Sequence, residues 1–110
     1  MEVNAYICKV FDYMVIISKT VLNEYGDKHS DIAEALNKWY EESKKADWKN
    51  FKEVKKSFNA TDYVGNDRYV FNIKGNKYRL VVIIFFNIRT VFIRFIGTHS
   101  EYDKIDCSKI

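Results

Sequence analysis

Apolar residues recur at helical spacing through the first half of the chain, between residues that favour helix ends. A short apolar run from Met14 to Ile17 predicts a strand. Ser18 is a suitable cap for a short helix after it, and Gly26 suits the end of that helix. Ser30 is the expected cap of a longer helix that reaches about Lys45. The apolar stripe of this longer helix comprises Ile32, Ala35, Leu36, Trp39 and Tyr40.

After one more short helix, the spacing of apolar residues changes to the alternation of strands. The run from Asn50 to Glu53 resembles a capping box and predicts this third helix. Its apolar face is expected to carry Phe51, Val54 and Phe58. Residues 68–74 then alternate between apolar and polar side chains, which is typical of a half-buried strand.

A two-residue hairpin turn is predicted at Gly75-Asn76, between this strand and the next. This register places Asn72 directly opposite Arg79 on one face of the sheet, and Lys74 on that same face. The second strand, residues 78–86, is apolar on both faces. That pattern favours a central position in the sheet.

The length of the turn before the last strand decides which face carries Arg94. A loop of two or four residues puts Arg94 on the face of Arg79, whereas a three-residue loop puts it on the opposite face. Val91, Ile93 and Phe95 are expected on the side that packs against the helices. The chain is therefore predicted to be α+β, with N-terminal helices packed on one face of an antiparallel β-sheet.

Length and composition favour one small domain. The chain has 110 residues, of which 47% are hydrophobic and 16% aromatic, enough to fill a single core. There is no proline, repeat or low-complexity linker to mark a domain boundary. No stretch has the length of a membrane span or the form of a signal peptide, so a cytoplasmic location without membrane association is expected. The net charge of +3 is too small to indicate nucleic-acid binding by itself.

The sequence contains no motif for a metal or a cofactor. Cys8 and Cys107 lie near opposite ends of the chain without the spacing of metal ligands. A disulfide between them is the less favoured alternative, because the chain lacks a cysteine-rich framework. No Gly-rich phosphate loop and no close carboxylate dyad are visible. We therefore expect no cofactor and no metal, and a metal-dependent nuclease is disfavoured.

The predicted polar face of the sheet carries residue types that hold a phosphodiester and move protons on it. Arg79 and Arg94 lie within apolar strands, where a guanidinium needs either a bidentate phosphate ligand or a salt bridge to a carboxylate such as Glu101. His99 follows the last strand, where it is either a proton carrier or a hydrogen-bonding surface residue. Tyr102 is a proton donor, a base-stacking group or a packing residue.

The hairpin tip adds Asn72, Lys74, Asn76 and Lys77 as candidates for binding. Lysines at turns usually serve solubility, and asparagine commonly supplies the turn conformation itself, whereas Asn72 in mid-strand opposite an arginine is less ordinary. A second basic stretch is interspersed with acidic residues, so we interpret it as a solvated face able to contact RNA phosphates. Its cations are Lys44, Lys45, Lys49, Lys52, Lys55 and Lys56.

Several strings of the sequence resemble the HigB-type toxins, which belong to the RelE-like group of bacterial type II toxin–antitoxin systems. The joined blocks FNIKGNKYRL and THSEYDKI are the most specific, and shorter matches lie at residues 46–49 and 93–99. The resemblance runs from about Met14 to the C-terminus. Because members of the family usually begin near that position, residues 1–13 are interpreted as an N-terminal extension of unknown role and residues 14–110 as a single toxin domain.

The resemblance implies a RelE-like fold and endoribonuclease activity on mRNA, usually on the translating ribosome. It also implies a HigA-type helix-turn-helix antitoxin, through which the complex would bind operator DNA. In this scheme the candidate catalytic residues are Arg79, Arg94, His99 and Tyr102. The candidate RNA-binding residues are Asn72, Lys74, Asn76, Lys77 and Thr98, with Lys74 also an alternative acid. The competing hypothesis is a toxin-fold binding protein without catalysis.

Overall fold

The computed structural model describes residues 14–110, in which a short strand and three helices precede the remaining strands. Strand β1 is Val15–Ile17, and helices α1, α2 and α3 span Lys19–Lys28, Ser30–Lys45 and Phe51–Ser57. The later strands are β2 (Thr61–Gly65), β3 (Arg68–Ile73), β4 (Tyr78–Phe85) and β5 (Thr90–Thr98). A 3₁₀ turn, Phe86–Ile88, joins β4 to β5, and a short helix α4, His99–Tyr102, follows β5.

The strands form one sheet in the order β1-β5-β4-β3-β2. The predicted α+β class is confirmed. The predicted antiparallel sheet is confirmed for β2 to β5, and the added edge strand β1 pairs with β5 in parallel. The sequence failed to predict β2, which forms the other edge of the sheet. Its TDYVG sequence is too short and too polar to show strand periodicity.

The helix ends follow the predicted caps with small corrections. The Ser18 side chain accepts a hydrogen bond from the amide of Thr20, as expected for a cap. Gly26 does not end α1, which continues to Lys28. Instead a Cβ at this glycine would lie 3.2 Å from the Cβ of Ala33, so the glycine permits close contact between α1 and α2. The cap residue of α2 is His29 rather than Ser30.

The core lies between the three long helices and one face of the sheet. Trp39 of α2 packs edge-on against Phe71 of β3, with ring centres 5.3 Å apart, and Trp48 and Phe58 complete an aromatic cluster. Such ring pairs add about 1 kcal/mol each beyond their burial. The sheet residues that join this core are Tyr69, Phe71, Ile73, Tyr78, Leu80, Val82, Ile84, Val91 and Ile93.

The opposite face of the sheet, called here the outer face, carries Val70, Asn72, Arg79, Val81, Phe95 and Gly97. The prediction that Phe95 faces the helices is wrong. The register between β4 and β5 shifts, so that Val82 pairs with Ile93 but Val81 pairs with Phe95. This β-bulge turns Phe95 to the outer face, and Ile96 packs against the core instead.

The C-terminal residues after α4 cross part of the outer face. Near their end, Arg68 of β3 donates two hydrogen bonds to the carbonyl oxygen of Ile110, and the Asn66 side chain donates one to the carbonyl of Ser108. The segment therefore begins at Tyr102 and ends at β3. Within the described part of the chain, every helix is too short or too polar to span a bilayer.

A chain that begins at Met14 is expected to unfold in one cooperative thermal transition, as the full chain does, because residues 14–110 contain a complete core. Circular dichroism melts of the two forms test this. Phe71→Ala serves as a destabilised reference, with an expected loss of about 3–5 kcal/mol for a fully buried phenylalanine. Loss of the cooperative transition in the shorter chain would show that residues 1–13 are needed for folding.

Candidate functional site

The centre of the candidate site is a row of three paired residues on the outer face. Asn72 of β3 pairs with Arg79 of β4, which pairs with Gly97 of β5, so the predicted register of Asn72 and Arg79 is confirmed. The turn between β3 and β4 is longer than predicted, since it comprises residues 74–77 with Ile73 and Tyr78 as the last pair. The pair of Asn72 and Arg79 is therefore the second pair of the sheet, counted from this turn.

The guanidinium of Arg79 lies on the outer face, and only one of its three nitrogens donates hydrogen bonds within residues 14–110. Its Nη1 donates to the carbonyls of Asn76, at 3.1 Å, and Tyr78, at 3.3 Å. Within residues 14–110 its Nε and Nη2 make no hydrogen bond, and no carboxylate lies within ion-pairing distance of it. The alternative of a structural salt bridge is thus not realised in this part of the chain. The N–H groups of Nε and Nη2, three in all, remain to bind an anion such as a phosphate.

Tyr102 of α4 stands beside Arg79, with the guanidinium carbon 5.9 Å from the centre of its ring. Its hydroxyl lies 3.2 Å from Cys107 Sγ, and either group is able to donate that hydrogen bond. Burial, together with Cys107, raises the pKa of Tyr102 to about 12, although the Arg79 charge acts in the opposite direction. The phenol is therefore protonated at neutral pH and is able to donate a hydrogen bond.

Helix α4 is held at this end of the sheet by a capping box and by the hairpin. The Thr98 hydroxyl accepts from the amide of Glu101 at 3.2 Å, and Glu101 Oε1 accepts from the amide of Thr98 at 2.8 Å. The backbone hydrogen bond from Thr98 is the main cause that lowers the pKa of Glu101. The amide of His99 donates to the carbonyl of Lys77, 3.0 Å away. Thr98 thus has a capping role, and its RNA contact stays a prediction.

His99 is the first residue of α4 and lies at the rim of the site. Its side chain is exposed, and its Nε2 is 3.5 Å from Asp103 Oδ1, one helical turn later. A carboxylate at that distance is able to orient the imidazole ring. Because the amide of His99 is hydrogen-bonded to the hairpin that precedes Arg79, the imidazole and the guanidinium belong to the same end of the sheet.

The predicted position of Lys74 on this face is wrong. Lys74 belongs to the turn and has a φ of 53°, which directs its side chain toward the helices. There its ammonium donates to the carbonyl of Asp31 at 2.7 Å. The carboxylate of Asp31 accepts from the Tyr78 hydroxyl, and this hydrogen bond, ahead of the charge of Lys74, lowers the pKa of Asp31.

Arg94 lies on the outer face, as predicted for a four-residue loop. The loop comprises residues 86–89, since Phe85 pairs with Thr90. Ile93 faces the core, so the next residue faces outward. Arg94 is exposed, and the bulge leaves it without a cross-strand partner. It lies past the Leu80–Ile96 and Val81–Phe95 pairs, counted from the Arg79 row. Its guanidinium is thus open to solvent on the Arg79 face.

The other hairpin residues contribute through their backbones. The carbonyl of Asn76 holds Arg79, and the carbonyl of Lys77 holds His99, while both side chains are exposed. Asn72 is half-buried in the central row. Within residues 14–110, no group of three or more His, Cys, Asp or Glu side chains is arranged to hold a metal ion. Cys8, and with it the disulfide alternative, lies outside the described residues.

Sequence reasoning missed three residues that shape the site. Glu101 caps α4, and the spacing from Thr98 to Glu101 is a capping-box signature that was available in the sequence. Cys107 contacts Tyr102, but nothing in the sequence distinguishes it. Gly97 leaves room beside Arg79, since a Cβ there would lie 2.5 Å from the Phe95 ring.

The chain was compared with known families and proteins. The HigB toxin family, described as the RelE-like toxic component of a toxin–antitoxin system, matches residues 32–105. The mRNA interferase HigB of Escherichia coli O6:H1 is 33% identical over 94 residues, which cover 84% of this chain and 91% of the relative. The mRNA interferase toxin HigB of Escherichia coli K12 is 49% identical over 35 residues, 32% of this chain and 34% of the relative.

These matches agree with the resemblance of the hairpin and α4 blocks. The predicted family, the RelE-like fold and the toxin function are thereby confirmed, and a toxin of such a system has an antitoxin as its partner. With its helices on one face of a five-stranded sheet and Arg79 on the other, the chain belongs to the HigB family of RelE-like toxins.

Proposed function

We propose that this toxin cleaves mRNA without a metal ion, by attack of a ribose 2′-hydroxyl on the adjacent phosphate. The observation that carries the proposal is the Arg79 guanidinium, which lies on the outer face with unoccupied donors, beside Tyr102 and at the same end of the sheet as His99. Cleavage of mRNA is what the names of the relatives state for those proteins.

In this reaction the 2′-oxygen forms a bond to phosphorus while the bond from phosphorus to the 5′-oxygen breaks. One proton leaves the 2′-hydroxyl, and another is delivered to the departing 5′-oxygen. Phosphorus carries additional negative charge in the transition state, which fixed donors stabilise more strongly than they stabilise the substrate. The protein therefore needs a cation at the phosphate and groups that exchange protons on either side of it.

The geometry supports a division of these roles. Arg79 and Arg94 would hold the phosphate, because both guanidinium groups lie on the outer face and neither is neutralised by a carboxylate within residues 14–110. His99, with Asp103 behind it, would move one proton. Tyr102 would donate the other or stabilise the leaving oxygen, since its phenol remains protonated at neutral pH. Lys74 is less suited to acid catalysis because Asp31 holds its ammonium on the helix side.

The remaining binding roles follow from position. Asn72 would orient the ribose or phosphate beside Arg79, and the exposed Asn76, Lys77 and Thr98 would contact the strand where it passes the hairpin. We further propose that the message is cleaved on the translating ribosome, and that the antitoxin is a HigA-type helix-turn-helix protein through which the complex binds operator DNA. The support for these partners is family membership.

The ends of the RNA fragments test the mechanism. Attack by the 2′-hydroxyl leaves a 2′,3′-cyclic phosphate, or the 3′-phosphate formed from it, together with a 5′-hydroxyl. Metal-assisted attack by water typically leaves a 5′-phosphate instead. We expect 5′-hydroxyl ends, measured by whether polynucleotide kinase labels the fragments without prior dephosphorylation.

Two further outcomes of this experiment are informative. If the toxin cleaves RNA without ribosomes, cleavage should persist in EDTA. If ribosomes are required, their own magnesium makes the EDTA test uninformative, and the chemistry of the fragment ends decides the mechanism. Fragments that carry 5′-phosphate would overturn the metal-free scheme. Growth inhibition without any new RNA ends would instead favour the toxin-fold binding protein without catalysis.

A further inference from the structure

We propose that Phe95 is a stacking platform for a nucleobase of the RNA, next to the phosphate held by Arg79 and Arg94. This rests on the proposed function, and it assigns to the outer face a binding site for the flat face of a base in single-stranded RNA. The inference begins from the β-bulge in β5, where the predicted orientation of a large aromatic residue is reversed.

The bulge brings two consecutive side chains to the outer face. In a regular strand Arg94 and Phe95 would point to opposite faces, with Phe95 in the core. The register shift pairs Phe95 with Val81 and leaves Arg94 as the additional residue. Bulges are common beside active sites, where they redirect a side chain. Here the result is a cation and an aromatic ring on the face that carries Arg79.

The ring of Phe95 extends toward the Arg79 row. A Cβ built on Gly97, the cross-strand partner of Arg79, would lie 2.5 Å from Cζ of Phe95 and 3.0 Å from its Cε2. The ring thus lies over Gly97, and the missing side chain at that position makes room for it. Tyr102 stands near the same guanidinium, 5.9 Å from it. An RNA phosphate bound by Arg79 would therefore have an aromatic ring close by on β5.

Phe95 is also open to a ligand. Its side chain is half-buried, so part of its surface remains accessible to a ligand. Among the phenylalanines of residues 14–110, it is the one without another aromatic ring within 6.5 Å. The C-terminal segment ends at β3, where Arg68 donates a hydrogen bond to the carbonyl of Ile110. An unpaired aromatic surface beside cations is the arrangement that single-stranded nucleic acids use for binding.

The ligand class follows from the chemistry of the ring. Phenylalanine offers no hydrogen bond, so it accepts the face of any base and confers little sequence preference. Its contribution would be to fix one nucleotide so that the neighbouring phosphate lies at Arg79. Loss of such a stack corresponds to about a tenfold loss of affinity.

The experiment compares variants at Phe95 with a matched control on the same strand. Phe95→Leu keeps an apolar side chain but removes the flat ring, and Phe95→Tyr retains it. The control is Phe92→Leu, because Phe92 is also half-buried, on the outer face, and contacts Phe85 at the other end of the strand. Cleavage of mRNA in a translation reaction should fall about tenfold in Phe95→Leu alone, with thermal melts showing that all three variants fold.

A binding measurement separates stacking from catalysis. Phe95→Trp places an indole at the proposed site, and its fluorescence is the quantity measured. The two other tryptophans, Trp39 and Trp48, are buried in the core, so a ligand on the outer face should change only the fluorescence of the new indole. A 2′-O-methyl oligoribonucleotide, which has no free 2′-hydroxyl and is not cleaved, should quench the new indole. An abasic oligomer of the same length, which supplies phosphates without bases, should not.

The outcomes distinguish this inference from the proposed function. Equal cleavage by Phe95→Leu and Phe92→Leu would overturn the stacking site while leaving the nuclease proposal intact. Equal quenching by the abasic oligomer, or no quenching by either, would overturn it as well. Base-dependent quenching in a protein that creates no new RNA ends would retain the nucleobase site and remove the catalytic role.

Discussion

Arg79→Ala is expected to lower the rate of RNA cleavage about a hundredfold, the typical effect of removing one donor that stabilises charge in a transition state. The structure gives the reason. Arg79 lies in the central row of the outer face, its Nη1 is held by two backbone carbonyls, and no carboxylate within residues 14–110 neutralises it. A donor that is already oriented needs little reorganisation when charge develops on phosphorus. Single-turnover cleavage of a translated mRNA measures the effect.

Two further variants make this prediction specific. Arg79→Lys keeps the charge but loses the planar fork, so its activity should lie between those of the wild type and the alanine variant. Lys38→Ala removes one exposed cation from α2, on the other side of the sheet, and should retain full activity. All variants should bind the antitoxin and melt as the wild type does. A change of less than threefold in Arg79→Ala would contradict a direct role in charge stabilisation.

The parts of the site that depend on strand alternation were predictable from the sequence. Asn72 and Arg79 face each other because the alternation on β3 and the position of the turn fix a register, even though the turn has four residues instead of two. Arg94 reached the predicted face because the loop before β5 has four residues, which was one of the alternatives considered. In both cases the residues that decide the geometry lie close together in the sequence.

The errors arose where geometry depends on contacts between distant segments. The stretch around Phe95 is apolar on both faces, so its sequence does not reveal which side of β5 a bulge will expose. Lys74 left the predicted face because its backbone adopts a positive φ and its ammonium meets Asp31, which is distant in sequence. The parallel pairing of β1 with β5 likewise follows from how the helices return the chain to the sheet.

The family resemblance and the residue patterns predict different properties of the chain. The resemblance identifies the family, whereas the alternation of residues predicts which side chains share a face of the sheet. The FNIKGNKYRL and THSEYDKI blocks identify the family, and in the structure they become the hairpin with Arg79 and the helix α4 with His99. The hydrogen bond from the amide of His99 to the carbonyl of Lys77 joins the two blocks. The two blocks therefore lie together for a structural reason, whether or not they also share a catalytic role. Substitutions that remove a side chain but keep the backbone distinguish the structural role from the catalytic one.

His99→Ala is such a variant, and it is expected to lower cleavage by about a hundredfold or more, which is typical for loss of a general acid or base. The substitution leaves the amide that binds Lys77, so α4 should stay in place. The side chain is exposed and contacts Asp103, so its removal should cost little stability. Single-turnover cleavage of a translated mRNA by the variant and the wild type, at equal concentrations of folded protein, measures the effect.

The partner of His99 provides the matched control. Asp103→Asn removes the carboxylate but keeps the imidazole. It should reduce the rate only severalfold, because the ring loses a contact that orients it but remains in place. If His99→Ala cleaved at the wild-type rate, histidine would have no part in the mechanism. Proton transfer would then pass to Tyr102, the remaining protonated group beside Arg79. Tyr102→Phe in that background would be the variant to abolish cleavage.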